Sequence, residues 1–113
     1  MQLFFRCCFV FTVLSVTALA LMPLEGTIVI KVWDKLNHLV AFSVLAALLY
    51  LSNWLRGWRY FTLLLGYGVL IEVMQSFTPH RFFSIADIAA DLVGIALGFI
   101  AIKWLVGRCQ KGN

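Results

Sequence analysis

Four long apolar stretches alternate with short polar connections along the chain. They run from about residue 3 to 22, 36 to 55, 60 to 77 and 85 to 106. A helix that crosses a bilayer needs about 20 mostly apolar residues, and each stretch comes close to that length. Pro23, Pro79 and Gly107 stand just beyond three of them, where helices are expected to end. The pattern predicts an all-α, polytopic membrane protein with a four-transmembrane-helix bundle that forms one domain over residues 1–113.

The composition supports a membrane environment over a soluble one. Hydrophobic residues make up 63% of the chain, charged residues only 12%, and the mean hydropathy is +0.97. Soluble domains carry about 25% charged residues, so this chain has too little polar surface for water. One connection, 23–35, is longer and mixed in character, and we expect it to lie along the membrane interface. No basic patch with interleaved aromatics occurs, so nucleic-acid binding is not expected.

Basic residues are distributed unequally between the two sides of the predicted bundle. With four spans, the termini and the middle connection share one side. That side holds Arg6, Arg56, Arg59, Lys103, Arg108 and Lys111. The opposite side holds only Lys31, Lys35 and Arg81. Because basic residues favour the cytoplasmic side, the termini are expected in the cytoplasm, and the first and third connections outside.

The first stretch also fits a second interpretation. Arg6, an apolar run and the sequence Ala18-Leu19-Ala20 resemble a cleavable signal peptide. If it were removed, three spans would remain and the C-terminus would still be cytoplasmic. The three cysteines, Cys7, Cys8 and Cys109, have no spacing that suggests a disulfide framework or a zinc site.

Polar residues occur in pairs at the outer ends of the second, third and fourth predicted spans. The pairs are Asp34 and His38, Glu72 and Gln75, and Asp87 and Asp91. Residues three or four apart share a helix face, so the members of each pair lie on the same side of their helix. A rise of about 1.5 Å per residue puts Glu72 and Asp91 roughly 10 Å inside the helix ends. An acid facing lipid at a helix centre costs about 2.5–3.5 kcal/mol. We therefore expect the pairs to face one another in a shallow chamber open to the exterior, with Arg81 nearby.

Each pair also has a simpler interpretation. Asp87, three residues after Ser84, could complete a capping box, and Asp34 could cap the second span. His38 with Asp34 could form half of a metal site whose third ligand would be Glu72 or Asp87. The simpler interpretation is that His38 hydrogen-bonds a carboxylate on the next helix. Glu72 lies more than a turn inside its helix, so a cap does not explain it. Its alternative is a buried contact that only fixes helix packing.

Small residues recur every four positions along the fourth stretch, at Ala86, Ala90, Gly94 and Gly98. Such a stripe lets another helix approach closely. It predicts packing within the bundle, and the Gly94 and Gly98 face also offers a surface for a homo-oligomer.

Three motifs between residues 34 and 98 resemble those of the VanZ-like family, small bacterial membrane proteins named after a teicoplanin-resistance protein. They are DK-x2-H-x3-F from Asp34, YG-x3-E-x2-Q-x-F-x-P-x-R from Tyr67 to Arg81, and FS-x2-D from Phe83 followed by Gly94-x3-Gly98. The resemblance implies a cell-envelope role in the bacterial inner membrane and no settled reaction. Two residues depart from the family pattern: His80 replaces an expected glycine, and Asp91 an expected asparagine.

The working hypothesis is that the paired polar groups bind or process a membrane lipid headgroup or a lipid-linked phosphate. Candidate catalytic residues are Glu72, Asp87 and His38. Candidate ligand-binding residues are Arg81, Gln75, Asp34 and Asp91. In this hypothesis Arg81 holds the anion, Glu72 and Asp87 handle protons or a metal, and Asp34 orients His38. The sequence identifies no cofactor and leaves open whether the protein is an enzyme, a binding protein or a structural protein.

Overall fold

The fold consists of four α-helices. A computed structural model describes residues 1–21, 28–77 and 85–111, with side chains described for 1–21, 35–77 and 85–109. The helices are α1 (Gln2–Ala20), α2 (Ile28–Ser52), α3 (Trp58–Gln75) and α4 (Ile85–Lys111). Within these ranges every regular element is helical, so the all-α prediction is confirmed. Asp34 lies in α2 with its side chain outside the described set, and His80, Arg81 and Ser84 lie outside the described residues altogether.

Three helical segments are long and apolar enough to cross a membrane. Among the described residues these are Gln2–Ala20, Lys35–Ser52 and Ile85–Cys109. The third predicted span, α3, is not one of them, because polar residues such as Arg59, Glu72 and Gln75 occupy its two ends. That α3 also crosses the bilayer stays a prediction.

Two helices extend beyond the predicted spans. α2 begins at Ile28, inside the segment that was expected to be a connection along the interface. Residues 28–35 contain neither proline nor glycine, so nothing in their sequence prevents the helix from starting early. At the other end of the chain, α4 continues through Gly107 to Lys111.

α2 lies at the centre of the bundle and makes its most extensive contacts with α4. Its buried face is formed by Phe42, Leu45, Ala46 and Leu49. Their spacing of three or four residues places them on one side of a 3.6-residue helix. Leu64 of α3 completes the same core.

Two glycines allow α4 to approach the backbone of α2. A Cβ atom on Gly94 would lie 2.5 Å from the carbonyl oxygen of Leu39, and one on Gly98 would overlap the carbonyl of Ser43. The Ser43 hydroxyl donates hydrogen bonds to the carbonyls of Leu39 (2.8 Å) and Gly94 (3.1 Å). The two glycines of the predicted stripe thus pack within the chain. A homo-oligomer through this face stays a prediction and would compete with the α2 contact.

Several polar contacts help to attach α1 to the bundle. The hydroxyl of Tyr67 on α3 donates to the carbonyl of Val13 (3.0 Å) and lies 2.6 Å from the hydroxyl of Thr17. Near the start of α1, Arg6 donates to the carbonyl of Ser52 at the end of α2. Of the α1 side chains, Phe9 is the buried one. The signal-peptide interpretation of this segment is not tested by these contacts.

Candidate functional site

The buried faces of three helices continue towards one end of the bundle as polar side chains. His38 lies one turn before Phe42 on α2, and Glu72 follows buried Ile71 on α3. Asp87 and Asp91 lie one turn apart on α4. Glu72 and Asp91 are 0% exposed, and His38 and Asp87 are each 7% exposed. Because these positions continue the apolar stripes, the fold that buries the core also buries the polar groups.

Four predicted site residues, His38, Glu72, Asp87 and Asp91, lie together and are called the polar cluster below. Nδ1 of His38 lies 2.8 Å from Oδ1 of Asp91. A carboxylate can only accept a hydrogen bond, so with Asp91 ionised Nδ1 carries a proton, and when the imidazole is neutral Nε2 presents its lone pair. Nε2 lies 3.9 Å from Oε1 of Glu72, which is beyond hydrogen-bonding distance.

Three members of the polar cluster meet around a common point. His38, Glu72 and Asp87 each offer one nitrogen or oxygen atom, and these atoms all lie within 4.8 Å of one another. Each comes from a different helix. Asp87 lies in the first turn of α4, as the capping interpretation requires, although its predicted capping partner lies outside the described residues. A helix-terminal position and a place in the cluster are therefore compatible.

The four side chains of the polar cluster are buried, and none of them is more than 7% exposed. That they line a chamber open to the exterior stays a prediction. A cleft lies towards the opposite end of α2 and α4, where Arg56, Lys103 and Phe99 line it with Tyr50 and Tyr60. Tyr50 is 12 positions beyond His38, or about 18 Å along the helix. This cleft is separate from the polar cluster.

Gln75 connects α3 to the end of α1. Its side-chain amide donates a 2.9 Å hydrogen bond to the carbonyl of Ala20, the last residue of α1. Carbonyls in the last turn of a helix lack partners within that helix, so this bond satisfies one of them. The contact gives Gln75 a packing role. Its predicted ligand-binding role, like that of Asp34 and Arg81, stays a prediction.

Two neighbouring residues shape the site and were not predicted to do so. A Cβ atom on Gly68 would lie 2.8 Å from Oδ2 of Asp91, so the glycine provides the space that this carboxylate occupies. Tyr67, next to it, anchors α1 and packs its ring near Phe42. The sequence contained one indication of their role: the pair Tyr67-Gly68 begins the motif that runs from Tyr67 to Arg81 and includes Glu72.

The cluster combines groups that can exchange protons with groups that can hold a cation. An imidazole and several carboxylates within a few ångströms are suited to general acid–base catalysis. The same groups are ligands for divalent metals, and among them His38, Glu72 and Asp87 have the required spacing. Whether the cluster exchanges protons or holds a cation depends on the molecule or ion that reaches it.

The chain matches a known protein family. A family model described as VanZ/LLP1 matches residues 2–106, which include the whole polar cluster and nearly all of the four helices. No curated protein and no solved structure matches the chain.

Proposed function

Because the chain belongs to the VanZ/LLP1 family, we propose that it acts in the bacterial cell envelope, in a role like that of the teicoplanin-resistance protein. It is a multi-pass protein of the inner membrane with cytoplasmic termini. The polar cluster lies in the outer half of the bilayer, where it binds or processes a lipid headgroup or a lipid-linked phosphate.

The observation that carries the proposal is the convergence of His38, Glu72 and Asp87 from three helices. Ionisable groups at membrane depth are costly and usually mark a binding or proton-handling site. Six basic residues at the cytoplasmic ends of the helices against three at the other ends support an outward position for the cluster. Arg81, in the outer connection, supplies a guanidinium that can hold a phosphate with two parallel hydrogen bonds.

In this role the charged and ionisable side chains have different tasks. Arg81 neutralises the phosphate at the surface, while Glu72 and His38 transfer protons to or from the bound headgroup. Asp91 holds the ring of His38 in place through the 2.8 Å contact at Nδ1. The predicted role of Asp34 in orienting His38 stays a prediction, because its side chain lies outside the described set.

The test uses the purified full-length protein in detergent. Phosphatidylglycerol, a polyprenyl phosphate and phosphatidylcholine are added in turn, and bound lipid is measured by native mass spectrometry. We expect one of the two anionic phosphates to bind at least about tenfold more tightly than phosphatidylcholine, a difference of roughly 1.4 kcal/mol. Arg81→Gln should abolish this preference. Arg59→Gln is the matched control, since Arg59 is exposed at the other end of α3.

Glu72→Gln separates processing from binding. It keeps the shape of the side chain and removes its charge. If the protein processes its lipid, the variant should still bind it but should form no altered headgroup or free phosphate. Equal lipid retention by the wild type and Arg81→Gln, with no preference for anionic lipids, would refute the proposal.

The second candidate is a structural role, and the complete burial of Glu72 and Asp91 favours it. Here the polar cluster only fixes how three helices pack. Glu72→Gln would then lower the stability of the protein, while lipid binding of the folded fraction would equal that of the wild type.

A further inference from the structure

We propose that the polar cluster binds one divalent transition-metal ion. The ligands are Nε2 of His38 and one carboxylate oxygen each of Glu72 and Asp87. Asp91 is a positioning residue that holds the imidazole. The inference goes beyond the proposed function, because a metal can occupy the site whether or not a lipid ever reaches it.

The spacing of the three ligand atoms suits a metal after a small contraction. They lie within 4.8 Å of one another. Atoms bound to zinc at about 2.1 Å can be at most about 4.2 Å apart, so side-chain movements of less than about 1 Å would close the site. The ligands come from α2, α3 and α4, and all three side chains are buried. Three protein ligands leave a coordination position for water or a phosphate oxygen.

The contact between His38 and Asp91 is a second observation that indicates a metal. A histidine that binds a metal through one nitrogen usually donates the other ring N–H to a carboxylate, which fixes its orientation. Asp91 accepts at Nδ1 at 2.8 Å, on the opposite side of the ring from Glu72. Gly68 leaves the space for that carboxylate. A helix cap or a simple acidic cluster does not require this arrangement.

The ligand set indicates the type of metal. Carboxylates alone suit Mg²⁺ and Ca²⁺, whereas imidazole favours Zn²⁺ and other first-row transition metals. A set of one imidazole and two carboxylates therefore indicates Zn²⁺ or Mn²⁺. A divalent cation also offsets the charges of carboxylates that the fold brings together in a low-dielectric interior.

The experiment measures zinc binding to the full-length wild-type protein in detergent. The protein is stripped with a chelator, dialysed, and titrated with Zn²⁺ by calorimetry, and the metal content is confirmed by mass spectrometry. We expect one zinc ion per chain. X-ray absorption should show only nitrogen and oxygen ligands at about 2.0–2.2 Å. Mn²⁺ is titrated in parallel.

Three variants assign the bound ion to the polar cluster. Glu72→Gln should weaken zinc binding by at least about tenfold, and Asp91→Ala, which removes the acceptor at His38, by about 10–100-fold. Asp91→Asn should restore most of the affinity, since its amide oxygen can still accept from Nδ1. Tyr60→Phe is the control: it removes a hydrogen bond to the carbonyl of Ala46, away from the polar cluster, and should leave zinc affinity unchanged.

The proposal is overturned if the wild type binds neither zinc nor manganese, or if sulfur ligands appear, which would place the ion on a cysteine. It is also overturned if folded Glu72→Gln binds zinc as tightly as the wild type. If a variant fails to fold, the number of zinc ions per wild-type chain and the X-ray absorption spectrum of the wild type still test the proposal. Zinc binding without lipid binding would refute only the proposed function, and lipid binding without a metal would refute only the metal site.

Discussion

Replacing Gly98 by alanine is expected to disrupt the pairing of α2 and α4. At this position the new Cβ atom would overlap the carbonyl oxygen of Ser43 and lie 2.8 Å from its Cα atom. All of the nearest atoms belong to the backbone of α2. A flexible side chain could move aside, but a backbone segment in the middle of a helix cannot, so the two helices must separate.

The size of the effect follows from two opposing contributions. Alanine is favoured over glycine within a helix by about 1 kcal/mol. Overpacking of a well-packed interior costs about 1–3 kcal/mol, and backbone contacts place this case towards the upper end. Gly107→Ala on the same helix is the matched control, because nothing lies within 4 Å of its Cβ position. The helix preference is the same in both variants, so their difference isolates the steric cost.

The assay is reversible unfolding of each variant in mixed detergent micelles, with helicity followed by circular dichroism. Gly98→Ala should be less stable than Gly107→Ala by about 1–3 kcal/mol, or roughly 5–150-fold in the folding equilibrium. If the two variants unfold at the same denaturant concentration, α2 and α4 do not approach each other at Gly98 as closely as described.

Two further predictions concern α3. Tyr67→Phe should lower the free energy of unfolding by about 0.5–1.5 kcal/mol, since it removes the hydroxyl that contacts Val13 and Thr17; equal stability in the same unfolding assay would show that these contacts are not formed. Gly68→Ala should displace the carboxylate of Asp91, whose Oδ2 would lie 2.8 Å from the new Cβ, and weaken zinc binding at least severalfold in the calorimetric titration. Gly66→Ala, with open space around its Cβ position, is the control, and similar zinc affinities for both variants would contradict the assigned contact.

The helical architecture could be predicted because it depends mainly on local sequence. Four apolar stretches gave four helices, and residues three or four apart were correctly expected to share a face. α2 begins at Ile28, before the predicted span, because residues 28–35 contain neither proline nor glycine although their composition is mixed. Hydropathy describes the environment of a segment better than it describes where a helix begins.

The polar contacts were harder to predict, because spacing along one helix does not specify partners on another. The sequence grouped His38 with Asp34 on the same face and also predicted a hydrogen bond from His38 to a carboxylate of another helix, without specifying which carboxylate. In the structure Nδ1 of His38 contacts Asp91, which lies 53 residues further along the chain. That choice depends on how α2 and α4 pack. The small-residue stripe predicted a close approach at Gly94, but it did not specify Leu39 of α2 as the partner.

The polar character of α3 has a consequence for biogenesis. α1 and the apolar parts of α2 and α4 can leave the translocon for lipid one at a time. α3 carries Glu72 and Gln75 near its end, and both become buried only when other helices are present. If α3 spans the bilayer as predicted, its integration is tied to assembly, and the efficiency with which it integrates should depend on whether α4 has already been synthesised.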